Sequence, residues 1–279
     1  MKSQPIAGNF GVEFFDVDVA AITEEELNRV RQAQNEHGVV FFRDQDLDCE
    51  GHIAFARRLD EIVVNRFFER VDGFEEIAMV RKEPQHKTVV GECWHTDHSY
   101  DLEPARGSIL YAREVPSSGG GTFFANMYMV YEALSDGLKQ TLEGLRAVHS
   151  SAHVFSDDAV QAFETGEDRF HSGELAVQTN VHPVVLIHPQ SGRRALYVNP
   201  DFTVRFEGWT EEESAPLLNY LYEYSTRDEF VTRFDWRKDS IAFWDNRAVM
   251  HRAANDYPRE RRLMHRITLK GGPLRGVTG

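Results

Sequence analysis

The sequence predicts a mainly β protein, a β-sandwich or jelly roll with helical insertions, and three observations carry that expectation. Short runs of β-branched and aromatic residues bounded by Gly, Pro, Asn and Asp recur along the 279 residues. Helical periodicity is confined to a few stretches, two of them opened by a Thr-Glu-Glu-Glu capping box. No repeat, low-complexity tract or Pro/Ser-rich linker interrupts the chain, so residues 1–279 are expected to form a single domain.

The elements follow in order. Thr23-Glu24-Glu25-Glu26 can satisfy orphan amides reciprocally, which starts a surface helix running to His37-Gly38. Val39-Val40-Phe41-Phe42 is wholly apolar and reads as a buried strand, followed by a helix at about 49–60. Strands are expected at 76–80, 109–114 and 122–124, the last two joined by the turn Ser117-Ser118-Gly119-Gly120-Gly121. A helix covers about 128–145. The polar, irregular stretch at about 150–179 has the composition of an active-site lid or an exposed loop. Residues 182–188 and 194–199 flank Pro189-Gln190-Ser191-Gly192 as a hairpin. Thr210-Glu211-Glu212-Glu213 opens a helix to about Tyr224, and strands return at about 229–234, 240–244 and 262–270.

Charge narrows the function classes. With 31 Lys+Arg against 45 Asp+Glu the formal net charge is −14, which disfavours nucleic acid and anionic membranes as partners. Cys49 and Cys93 cannot make a disulfide framework, and a lone thiol such as Cys93 reads as a small core residue. The first residues, MKSQPIAGNFGVEFF, lack the basic and apolar segments of a signal peptide, and no stretch approaches the ~18 apolar residues of a membrane helix. The expected location is the cytoplasm.

Trp94-His95-Thr96-Asp97 reads as a strand, so His95 and Asp97 project to one side, roughly 6–7 Å apart along the chain. His251, after the strand at 240–244, can complete a set of two imidazoles and one carboxylate. Such a set leaves three coordination positions open on a metal, as in non-haem Fe(II) oxygenases. His182 and His188 are a rival pair, but each is followed by Pro and no carboxylate stands at ligand spacing. His98, His149, His153 and His265 read as ordinary polar or half-buried histidines. Between Asp245 and Arg266 six arginines face three acids, a basic island in an acidic chain. Arg262 and Arg266 share a strand face with Met264, with His265 opposite, and buried guanidinium groups there call for anions.

These residues resemble the Fe(II)/2-oxoglutarate dioxygenases of the taurine dioxygenase and 2,4-dichlorophenoxyacetate dioxygenase type. The resemblance runs over nearly the whole chain. Besides Trp94-His95-Thr96-Asp97 and His251, it is carried by Pro116 through Thr122, His182-Pro183 through His188-Pro189 with Ser191-Gly192, Leu196-Tyr197-Val198-Asn199, Trp244-Asp245-Asn246-Arg247 and Arg261 through Arg266. It implies a double-stranded β-helix, a cupin-like jelly-roll barrel, with iron held by His95, Asp97 and His251. It further implies that Arg262 and Thr122 bind the far carboxylate of the cosubstrate 2-oxoglutarate, that O₂ is the oxidant, and that Arg266 meets an anionic group of the substrate. Homo-oligomers, dimers or tetramers, are common in the family.

Departures from the taurine enzymes narrow the substrate. The matching polar positions read Asn65, Phe68 and Gly91 here, losing a His, a Tyr and an Asn. Phe155 and Phe202 match the aromatic wall, and Val154 replaces a hydroxyl residue. An amine buried there would lack acceptors. The expected substrate is a small carboxylate, sulfonate or sulfate with an apolar or aromatic body, hydroxylated next to its heteroatom, and taurine is expected to turn over poorly. Two other readings stand beside this one: a metal-dependent hydrolase or isomerase on a cupin-like barrel, and a non-catalytic ligand-binding barrel. O₂ consumption with 2-oxoglutarate separates them.

Overall fold

A computed structural model describes residues 1–155 and 177–277. Most of the lid expected at 150–179 lies outside the described residues, as does the side chain of Phe155.

The chain begins with strands β1 (Lys2–Pro5) and β2 (Val12–Phe15), helix α1 (Glu24–His37), β3 (Val39–Phe42) and helix α2 (Cys49–Leu59). The Thr23 capping box forms in both directions, and Gly38, at φ 80°, ends α1 in the left-handed conformation. Short strands β4 (Ile62–Val63) and β5 (Arg70–Val71) precede β6 (Phe74–Lys82), β7 (Gly107–Glu114) and β8 (Thr122–Asn126). The single helix expected at 128–145 is instead two, α3 (Met127–Ala133) and α4 (Asp136–Glu143), because Leu134 turns extended and Ser135 caps a new start. After β9 (Arg146–Ser150) and the one-turn α5 (Ala152–Phe155), the chain continues through β10 (Thr179–Pro183), β11 (Val185–Ile187), β12 (Arg194–Leu196) and β13 (Thr203–Phe206). The second capping box opens helix α6 (Glu211–Ser225), and a 3₁₀ turn at Asp228–Phe230 leads to β14 (Val231–Phe234), β15 (Ile241–Asp245), β16 (Val249–Ala253) and β17 (Arg262–Leu269).

The molecule is mainly β with helices on its outside. One sheet runs β1-β2-β3-β15-β7-β17-β6-β5, with β4 joined to β17, and a second runs β14-β8-β16. Strand alternation divides the large sheet into two faces. Val39, Phe41, Leu110, Ala112, Ala242, Trp244 and Met264 point inward against Phe124, Phe234 and Val249 of the small sheet. Phe41 stacks on Phe234 with ring centroids 4.1 Å apart. The intervening residues Val40, Phe42, Ile109, Phe243 and Ile267 point outward and are covered by Leu27 and Val30 of α1 and Ile53, Phe55 and Ala56 of α2. Leucine- and valine-sized side chains buried this way contribute about 1.5–3 kcal/mol each. The apolar face of each helix therefore fixes which face of β17 looks inward, and Arg262 and Arg266 lie on that inner face with Met264.

Candidate active site

The ligand candidates meet at the junction of the two sheets. His251 lies in β16, opposite Phe124 of β8. His95 belongs to no regular strand: it makes one isolated bridge, donating its amide to the His251 carbonyl at 3.0 Å and accepting the His251 amide at 2.9 Å. Asp97 follows in a turn. The expected strand at 94–97 is thus reduced to a single bridge, and direct pairing of the two histidine backbones sets their rings side by side, centroids 4.2 Å apart. One ligand atom from each of His95, Asp97 and His251 falls within 4.8 Å of the others, and all three residues are buried. Among the described residues no other such group of three occurs.

Each imidazole is oriented differently. His95 Nδ1 donates to the Cys93 carbonyl at 2.9 Å, which leaves Nε2 as the free lone pair. His251 Nδ1 has no partner among the described residues, and its ring is held by Trp244 at 4.7 Å and Phe124 at 6.2 Å. Burial, with the neighbouring His95, holds His251 well below the usual histidine range, so it is neutral. Burial opposes the charge of Asp97, but Arg266 and the two histidines outweigh it and hold the carboxyl well below the usual range. Burial likewise opposes charge on His95, where Asp97 prevails and raises its pKa. Two buried imidazoles with an ionised carboxylate suit a divalent first-row metal with open positions.

The cluster opens into a cavity of about 380 Å³ lined by Asn65, Phe68, Gly91, Thr122, Val154, Phe202, Arg262 and Arg266. Arg262 is 5% exposed, donates to the Gly120 carbonyl at 3.1 Å and has no acidic partner among the described residues. Burial lowers its pKa. Thr122 Oγ1 accepts from Trp236 Nε1 at 2.9 Å, leaving its own hydrogen available to a ligand. Arg266 differs, since its Nη2 is 2.6 Å from Asp97 Oδ2. Asn65 Oδ1 accepts the amide of Phe67 at 2.9 Å, which turns its Nδ2 toward His98 Nε2 at 3.2 Å. Gly91 is more than a lost side chain: at φ 75°, a Cβ there would stand 2.9 Å from His95 Cε1, so only glycine fits against that ring. Phe202 sets its ring edge against His95, 6.2 Å away.

The rival histidines are engaged elsewhere. His182 Nε2 contacts the Asp101 carbonyl at 2.8 Å from β10, while His188, beyond β11, sits between Ser191 and Asp245. Strands β10 and β11 belong to different sheets, so the hairpin expected at 182–199 is confined to β11 and β12. Cys93 is exposed, not a core residue. His98, read as an ordinary polar residue, lines the cavity with Tyr100 and Asp201. Its proximity to Asp97 in sequence was the available signal. Ser108, buried beside Asp97, carried none.

The chain is similar to known dioxygenases over nearly its whole length. A family model described as "Taurine catabolism dioxygenase TauD, TfdA family" matches residues 2–268. An alpha-ketoglutarate-dependent sulfate ester dioxygenase of Pseudomonas putida is 33% identical, with 99% of this chain and 91% of that protein aligned. The alpha-ketoglutarate-dependent 2,4-dichlorophenoxyacetate dioxygenase of Cupriavidus pinatubonensis is 31% identical over 95% of this chain and 96% of its own. The crystal structure of a taurine dioxygenase from Burkholderia xenovorans superposes with a TM-score of 0.83 at 34% identity, covering 100% of this chain and 93% of that one. Among the described residues no helix is long and apolar enough to cross a membrane. The chain belongs to the TauD/TfdA family of dioxygenases, enzymes that use Fe(II), 2-oxoglutarate and O₂.

Proposed function

We propose that this enzyme hydroxylates a small organic anion, a sulfate ester, sulfonate or aryloxycarboxylate with an apolar body, at the carbon next to the heteroatom. The observation that carries the reading is Arg262: a buried guanidinium without an acid partner among the described residues, facing the same cavity as the His95, Asp97 and His251 donors. A buried cation of this kind is stabilised when a carboxylate arrives. In this reading Arg262 takes the far carboxylate of 2-oxoglutarate, and Thr122 donates its hydroxyl to the same group. Iron, when bound with 2-oxoglutarate and O₂, supplies an oxidation that puts one oxygen atom into a substrate C–H bond and the other into succinate, releasing CO₂.

His95, Asp97 and His251 hold the metal, and the chain's remaining work is orientation and exclusion of water. Arg266 meets the substrate's anionic group through the part of its guanidinium that Asp97 does not occupy; its buried Nε has no partner among the described residues. Phe68, Val154 and Phe202 form the wall for an apolar body. Hydroxylation beside a sulfate-ester oxygen gives an unstable adduct that collapses to aldehyde and sulfate. We also read the facing sheets as a double-stranded β-helix and residues 1–279 as one catalytic domain; the family match over 2–268 supports both.

The test is succinate formation with alkyl sulfates, alkyl sulfonates, aryloxyacetates and taurine. An alkyl sulfate or aryloxyacetate is expected to lead and taurine to trail. Taurine turning over faster than all the others would refute the apolar-body reading, and no substrate-dependent succinate with any class would refute the anion reading.

A further inference from the structure

Asp97 is engaged unevenly, and the asymmetry has a cause in the fold. Its Oδ2 receives two donors: Arg266 Nη2 at 2.6 Å and Ser108 Oγ at 3.1 Å. Ser108 Oγ in turn accepts from Arg266 Nη2 at 2.9 Å, so hydroxyl, guanidinium and carboxylate oxygen close a triangle. Oδ1 has His95 Nε2 at 3.5 Å as its neighbour. Ser108 is fully buried on the inner face of β7, opposite Trp244 of β15 and Thr268 of β17. The glycine before it allows this depth, since a Cβ on Gly107 would lie 2.4 Å from the Trp244 carbonyl oxygen.

The number of ligands gives the triangle a consequence. Two histidines and one carboxylate oxygen would hold a divalent metal at three positions, and a chelating keto acid would need two more, so only one would remain for O₂. A carboxylate that turned to offer both oxygens would fill that last position. We propose that Ser108, acting with Arg266, is a positioning residue that keeps Asp97 a one-oxygen ligand and so keeps the O₂ position open. This rests on the metal reading of the site above. The hydroxyl has one hydrogen, and it is directed at Oδ2; removing it leaves Arg266 as the one hydrogen-bond donor to Oδ2 among the described residues and deprives Arg266 of an acceptor.

The experiment uses the whole chain as wild type, Ser108→Ala and Ser108→Thr, the last retaining the hydroxyl. Three quantities are measured anaerobically: Mn(II) affinity by electron paramagnetic resonance, 2-oxoglutarate affinity of the Fe(II) protein, and affinity of the Fe(II)·2-oxoglutarate protein for nitric oxide, a non-reacting stand-in for O₂. Ser108→Ala is expected to weaken nitric oxide binding about tenfold, the scale of one lost hydrogen bond. Its Mn(II) and 2-oxoglutarate affinities are expected to stay within about twofold, and Ser108→Thr to recover the nitric oxide affinity. Unchanged nitric oxide binding in Ser108→Ala overturns the inference. So does a parallel loss of Mn(II) and nitric oxide, which would make Ser108 a general support of the fold. Wild-type protein that binds no Mn(II) would overturn the metal reading together with this one.

Discussion

Arg262 and Arg266 point from one strand into one cavity, and the difference between them decides what each can do. Both are buried on the inner face of β17. Arg266 already has an internal carboxylate, Asp97, at 2.6 Å. Among the described residues Arg262 has only a carbonyl and a weakly placed hydroxyl, Gly120 at 3.1 Å and Thr122 at 3.5 Å. A buried cation paired inside the protein holds structure in place. A buried cation with neutral partners and no acid among the described residues costs free energy until an anion comes, and that cost is what makes it a candidate binding site.

The most severe way to break the comparison removes the shared anion. Asp97→Ala removes the carboxylate proposed to hold the metal and takes from Arg266 its acidic partner; metal binding and coupled turnover are expected to fall more than about a thousandfold, read by Mn(II) titration and succinate assay. Next is Arg266→Met, which leaves the Asp97 charge buried without its guanidinium. The ligand-free protein is expected to lose about 3 kcal/mol in urea denaturation, with part of the loss recovered when Mn(II) neutralises Asp97. Equal stability of variant and wild type would mean the ion pair does not hold Asp97. Arg262→Met should do the opposite. Stability without ligand is expected to stay level or rise, while KM for 2-oxoglutarate rises about thirtyfold at little change in kcat. A fall in stability as large as that of Arg266→Met would erase the distinction between the two arginines.

The inner face of β17 was readable in the sequence because strand alternation needs only the chain: Arg262, Met264 and Arg266 had to share a face. Which anion each arginine meets was not readable, since Asp97 reaches Arg266 from a turn far away in sequence. The candidate ligand set was readable for a similar reason. His95 and Asp97 are two apart, and a strand or a bridge with a turn serves equally to put both on one side. The three side chains meet in space although residues 94–97 form a bridge and a turn where a strand is expected. Ser108 could not be found, because a serine inside an apolar run such as Gly107-Ser108-Ile109-Leu110 has no pattern until a carboxylate is placed beside it. Short strands such as β1, β9, β13 and β16 escaped because tertiary pairing defines them, and their local sequences lack strong alternation.

The outer face of the same strand sharpens the contrast, with charge excluded there instead of stored. His265 points outward from β17 toward α2, where His52 is 1% exposed with both ring nitrogens unpartnered among the described residues. Burial, with His265 and Arg113 nearby, lowers the His52 pKa to about 3; burial and Arg113 lower that of His265 to about 4. Both are neutral in the fold, while an unfolded chain protonates histidine near pH 6.5. Between those values the unfolded state binds the extra protons, so stability is complete above about pH 6.5 and is lost as pH falls toward 3–4. The slope from His52 is expected to be about 1 kcal/mol per pH unit, and that from the more exposed His265 smaller. Urea midpoints at pH 7 and pH 5 for wild type and His52→Leu measure it. The variant should lose less stability on acidification, because it has no buried imidazole to protonate on unfolding. An identical acid slope in both proteins would place the pH sensitivity elsewhere, with the carboxylates of the inner face, Asp97 first, as the groups whose protonation unfolds the chain.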